Sequence, residues 1–247
     1  VNNEFIFGFD LSRSAPERVK NFNYTCVIPP ENACVDYYRY EANITVPNSP
    51  GGVYVAFQRC CRNGSITNLI DPGSVGTTYY TYIPERRAII NSTPVFKGLP
   101  PNFLCVSEPL IYDHSATDLD GDSLVYALMT PYEGASQIAP KPSIPSPPPY
   151  TKVSWRNNYS ISDQLGRNGI FTINSQTGQL TVLPNTIGQF VVGIEVKEFR
   201  NGSLINTTYR DFQFNVLPCV FNVNPNFNNS QKCSKSVDFT NTSTGNG

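Results

Sequence analysis

Hydrophobic and polar positions alternate from Val35 onward, with Tyr38, Tyr40, Ala42, Ile44 and Val46 on one face and Tyr37, Arg39, Glu41, Asn43 and Thr45 on the other. A period of two marks a half-buried strand. Pro47 to Gly52 supplies turn formers. Val53, Val55 and Phe57 then resume the period, so the pattern predicts a hairpin ending at the adjacent pair Cys60-Cys61. Tyr79 to Ile83 reads as another strand. The stretch from Ile90 to Pro101 holds three prolines and Gly98 and interrupts the pattern, which places a domain boundary there.

Beyond Phe103 the strands are better defined. Leu124, Tyr126 and Leu128 form one, and Ile170 to Ile173 turns through Gln176-Thr177-Gly178-Gln179 into Leu180 to Leu183. Phe190, Val192, Ile194 and Val196 lead through an Asn201-Gly202 turn to a return strand with Phe212, Phe214 and Val216. Strands at this spacing, without helical periods, predict an all-β chain of tandem sandwich modules. The units run 1–97, 98–218 and 219–247, with Val237 to Thr240 opening the third module after an Asn-rich linker. Six prolines between Ala139 and Tyr150 bar that segment from a ladder. It reads as a stiff, polyproline-like surface connection in preference to a peptide-recognition ligand.

Composition agrees, with fourteen tyrosines, fifteen phenylalanines and one methionine in 247 residues. A net charge of −1 with scattered Lys and Arg offers no face for nucleic acid. No apolar run reaches the ~18 residues of a membrane helix, so membrane insertion is not expected. The cysteines are Cys26, Cys34, Cys60, Cys61, Cys105, Cys219 and Cys233, without the C-x-x-C pairs or histidines of a zinc site. Disulfides in an oxidising, extracellular setting are the expectation. Seven is odd, so at least one thiol is free or finds its partner outside this stretch. Cys60 and Cys61 are each expected to bond a different partner, with Cys26 and Cys34 the nearest candidates. The chain starts at Val1 without a signal peptide and stops in a Thr-Gly-Asn-Gly turn, so it reads as an internal fragment.

The run Asp118-Leu119-Asp120-Gly121-Asp122-Ser123-Leu124 carries the chemistry. Carboxylates ~5 Å apart repel by roughly 3 kcal/mol per pair at an effective dielectric of about 20. A hard cation removes that cost, and Ca²⁺ accepts many oxygens at flexible geometry while Gly121 lets the backbone bend. An EF-hand loop would need a glutamate where Ala127 stands. The expectation is therefore a calcium turn ahead of a strand, weighed against a solvated Asp-Gly turn without metal. Glu198 and Glu108 are the candidate distant ligands.

The run S-A-T-D-L-D-G-D-S-L-V-Y-A-L, with F-T-I-N-S-Q-T-G-Q-L-T-V-L-P-N-T-I-G-Q-F-V-V-G-I-E-V, resembles cadherin-like Ig domains of bacterial surface proteins, of the dystroglycan type, across most of 103–217. R-C-C-R-N-G-S-I-T-N-L at 59–69, D-H-S-A-T-D at 113–118, P-P-P-Y at 147–150 and E-F-R-N-G-S-L-I at 198–205 resemble a Bacteroidota family of long exported proteins. There the module precedes PKD domains and a gliding-motility-associated C-terminal sorting domain. The resemblance implies export by the type 9 secretion system, a place in surface adhesins or appendages, and a PKD repeat beginning at Phe239-Thr240-Asn241-Thr242-Ser243. In that family cysteines often stand where this chain has Met129 and Glu195. Their joint absence implies a lost bridge and leaves Cys105 and Cys219 as the candidate clasp. Unlike the linkers of true cadherins, Asn91-Ser92-Thr93-Pro94 offers no carboxylate, which implies fewer ions and a less rigid joint.

Nine Asn-x-Ser/Thr sequons would mean surface glycans in a eukaryotic secreted glycoprotein, a weaker rival, but Asn, Ser and Thr abundance supplies several by chance. Asp122-Ser123-Leu124 resembles a Bacteroidota O-glycosylation site, in competition with calcium. His114 beside Asp113 and Ser115 fails as a triad, since neighbours on a strand face opposite ways. It reads as structural, packed beside the aspartate turn. The expectation is a non-enzymatic cell-surface adhesin or filament module. Its partners are other domains of the same chain, further copies of itself, or a surface glycan or protein. A carbohydrate-binding or accessory module of an exported hydrolase is the rival.

Overall fold

The computed structural model describes residues 4–19, 35–85, 90–219, 223–224, 226–231 and 237–245. Among them it is β throughout, with one short 3-10 turn at Pro72–Ser74. The main strands are β1 (Val53–Arg59), β2 (Thr77–Ile83), β3 (Phe103–Cys105), β4 (Leu110–Asp113), β5 (Ser123–Leu128), β6 (Ile170–Ile173), β7 (Gln179–Leu183), β8 (Gly188–Arg200) and β9 (Ser203–Leu217). One sheet has the order β5-β8-β9-β3, and a second has the order β6-β7-β4. All neighbours are antiparallel except β9 and β3.

The two sheets share a core. Phe190, Val192 and Ile194 from β8, with Phe214 and Val216 from β9, meet Phe171 of β6 and Leu180 and Val182 of β7. These are the residues the period of two picks out on β8 and β9. Cys105 at the end of β3 bonds Cys219 just past β9, 5.3 Å apart at Cα, so the implied clasp closes the two ends of this unit. Glu195 lies opposite Ala127, and Met129, 4 % exposed, donates its N–H to Gly193. Glu195 forms an ion pair with Lys197 where the resemblance placed a cysteine.

The predicted hairpin between 35–46 and 53–57 does not form. β1 pairs instead with β2, Val53 opposite Ile83 and Arg59 opposite Thr77. Asp36–Tyr37 and Tyr40–Glu41 make only short ladders, with Glu17–Arg18 and Ser12–Arg13. Alternation reveals that a segment is extended but not which strand it joins, because register is set by contacts distant in sequence. Cys60 and Cys61 are bonded to each other and not to separate partners. With Cys105 and Cys219 joined, no other thiol remains for them among the described residues. Cys26, Cys34 and Cys233 lie outside those residues.

The loop between β1 and β2 packs against β8 on the side away from the main core. Ile66 and Leu69 cluster there with Val153 and Val191. β5 ends at Leu128 opposite Ile194, which leaves the β8 edge beyond it without a strand. Two buried amides continue the ladder. Asn68 donates to the Val191 carbonyl (2.7 Å) and accepts from the Val191 N–H (3.1 Å), while Gln164 accepts from the Gly193 N–H (2.8 Å). Backbone groups buried without partners are costly, and these side chains supply the partners. Arg62 adds an ion pair to Asp211 of β9 at 2.6 Å, with both side chains 8 % exposed. Tyr80 of β2 packs among Tyr132, Tyr150 and Tyr209, its hydroxyl 2.8 Å from that of Tyr209. The proline segment is pinned to β1 by Gln58, which accepts the Ser146 N–H. Contacts also cross the expected boundary at 97/98, since Val95–Phe96 pairs with Ala116–Thr117 and Lys97 N–H reaches the Ser115 carbonyl. Past Cys219, Phe227–Gln231 pairs with Val237–Asn241, the segment expected to open a third module.

Candidate metal centre

The acidic turn joins Ala116–Thr117 to β5. Asp118 organises it, one carboxylate oxygen accepting the N–H of Asp120 (2.9 Å) and of Asp122 (3.0 Å). Such side chain to backbone bonding is why Asp nucleates turns. Gly121 sits at φ 80°, a left-handed conformation that glycine adopts without penalty. The outcome is that oxygens from Asp118, Asp120 and Asp122 lie within 4.8 Å of one another. Asp118 Oδ2 is buried and has no hydrogen-bond partner.

Arg200, the last residue of β8, meets this cluster. Its Nε and Nη2 grip both oxygens of Asp122 at 2.7 Å each, and Nη2 lies 3.6 Å from Asp120 Oδ2. The guanidinium holds the Asp122 carboxyl below the ordinary carboxylate range. Asp120 Oδ2 also accepts the Ser92 N–H. Asn91 bridges outward, accepting from Arg200 Nη2 and donating to Glu198 Oε2 at 2.6 Å. The 91–94 linker thus reaches the cluster through an amide and a backbone N–H.

Glu198 is fully buried beside Thr208, opposite Leu124. Burial pushes its pKa up, and the charges of Asp118 and Asp122 add to the effect against the hydrogen bonds from Asn91 and Thr208. It therefore lies within electrostatic reach of the triad without being one of the clustered ligands. Glu108 is exposed in the turn after β3, where its N–H bonds the Cys105 carbonyl, and is not in the cluster either.

The donor set suits a hard cation, since it is all oxygen and no histidine or cysteine contributes. One guanidinium against three carboxylates leaves negative charge uncompensated, and the partnerless Asp118 Oδ2 is an oxygen a cation would satisfy. The cluster could hold a metal ion such as Ca²⁺. The role of Arg200 escaped the sequence reading, because only the β5-β8 register brings residue 200 alongside 122.

His114 is 1 % exposed and stacked against Phe212 with Phe96 edge-on. Neither His114 Nδ1 nor Ser115 Oγ has a partner, so no hydrogen-bond relay links Asp113, His114 and Ser115. Two disulfides indicate an oxidising environment, and no helix of the described residues is long and apolar enough to cross a membrane. Compared with family models, with curated proteins and with solved structures, the chain finds no match.

Proposed function

We propose that this chain is part of an exported surface protein whose Ig-like sandwich module is stiffened by Ca²⁺ at Asp118, Asp120 and Asp122 and serves adhesion or surface assembly without catalysis. One observation carries the reading: three carboxylates converge within 4.8 Å on a turn that leaves a buried Asp118 oxygen without a partner. Disulfides support an extracellular place, and the resemblance to exported Bacteroidota proteins supports the surface role and the type 9 route. Partners on this reading are neighbouring modules, further copies and a surface glycan or protein.

Melting in chelator and in 10 mM calcium tests it. With an extracellular-type Kd of about 1 mM, ligand linkage gives roughly 1.4 kcal/mol, a rise of several degrees. Asp120→Asn is expected to remove that rise. Coincident wild-type curves would favour a second reading, in which the bidentate Arg200 is the sole counterion of the turn. The full reading frame separates an adhesin from the hydrolase accessory module: many sandwich repeats support the first, a single catalytic domain the second.

A further inference from the structure

Arg210 of β9 differs from the other partly enclosed arginines. Arg62 pairs with Asp211 and Arg200 with Asp122. Among the described residues no carboxylate lies within ion-pair distance of Arg210, although burial pulls its pKa below the ordinary arginine value. Its guanidinium sits 4.5 Å over the Phe96 ring, with Nη1 3.4 Å from His114 Nε2. Arginine only donates, so Nε2 accepts and the imidazole carries its proton on Nδ1, which is buried without a partner. A neutral ring supplies no compensating charge. A partly desolvated cation without a counterion is costly in a folded chain.

Arg210 lines a cavity of about 870 Å³ together with Phe96, Leu99, Tyr37, Glu17 and Arg18. Cavities of roughly 300 to 1,000 Å³ take small organic ligands, so this space exceeds what an inorganic anion fills. Arg18 is engaged by Asp36 at 2.8 Å, and Glu17 adds a negative rim, which disfavours a multiply charged phosphate. Tyr37 and Phe96 are the aromatic lining, with the Arg210 guanidinium already over the Phe96 ring, and Leu99 adds an apolar edge that is 54 % exposed.

We propose that this cavity binds a monocarboxylated sugar, Arg210, backed by Phe96, holding the carboxylate and the Tyr37 ring covering the C–H face of the pyranose. The site takes its biological sense from the adhesive reading, but its chemistry is separate from the calcium turn.

Heteronuclear NMR titration of the chain with methyl glucuronide and with methyl glucoside tests it, in chelator and in calcium. Saturable shifts around Phe96 and Leu99 are expected with the glucuronide, with the glucoside at least tenfold weaker. Arg210→Gln should weaken the glucuronide at least tenfold. If that variant fails to fold, Leu99→Glu at the mouth should repel the acid similarly while leaving the melting temperature unchanged. Equal affinity for both glycosides, no saturable binding, or affinity indifferent to the substitution overturns the proposal. A peptide that binds through its free C-terminus more tightly than the glucuronide overturns the sugar assignment. Loss of the calcium-dependent melting shift with glucuronide binding intact would sink the calcium reading alone.

Discussion

The strand Gly188–Arg200 is held in two different ways. Toward the β6-β7-β4 sheet, Phe190, Val192 and Ile194 enter an apolar core with Phe171, Leu180 and Phe214. On the opposite side Val191 meets a small cluster, and the free edge at Val191 and Gly193 is served by Asn68, Gln164 and the 60–76 loop. Apolar contact is non-directional and tolerates adjustment, whereas the polar flank depends on every donor finding its acceptor. The lesson is that a short strand can be extended by side-chain amides, at the cost of making the flank sensitive to single atoms.

Substitutions can break this comparison. The largest loss is expected in the core: Phe214→Ala, fully buried between the sheets, should cost about 4 kcal/mol by chemical denaturation. Next comes Arg62→Met, which strands the buried Asp211 carboxylate and should cost about 3 kcal/mol. The double variant Arg62→Met, Asp211→Leu should recover much of that, and failure to recover would assign the loss to the contacts of Arg62 with Gly76 and Tyr132. Asn68→Ala leaves Val191 unpaired and should cost about 2 kcal/mol, with faster amide exchange at Val191 as the local signature. Unchanged exchange there would argue against a side-chain ladder.

A pH series sharpens the same contrast. Burial, together with the nearby Arg210 charge, lowers the His114 pKa to about 4 from an ordinary 6.5. Between these values the unfolded chain binds the proton and the folded chain does not, so stability present above pH 6.5 should be lost as pH falls toward 4. His114→Phe should flatten that part of the profile, and an identical acid limb in the variant would assign it to other groups. Tyr209, pushed up to about 12 mainly by burial, gives the opposite limb: its stability is full below pH 10 and lost as pH rises through 12.

The strands after Phe103 were legible because period-two alternation over Leu124 to Leu128, Ile170 to Leu183 and Phe190 to Val216 marks the face turned to the main core, although Val191 of β8 is buried on the other side as well. The acidic turn was legible because local Asp and Gly chemistry builds it, and Asp118 organises it within five residues. What alternation could not carry was partnership. The pairing of β1 with β2 and the grip of Arg200 on Asp122 each depend on where distant segments meet.

Sequence by itself therefore determined local conformation and the kinds of atom available at the acidic turn, since steric period, turn chemistry and side-chain charge act over a few residues. Tertiary structure alone decided which edge Asn68 completes, which carboxylates Arg200 neutralises and that, among the described residues, no carboxylate pairs with Arg210. These outcomes rest on register and packing between distant segments, 123 residues apart in the Asn68–Val191 contact. No short-range pattern encodes them.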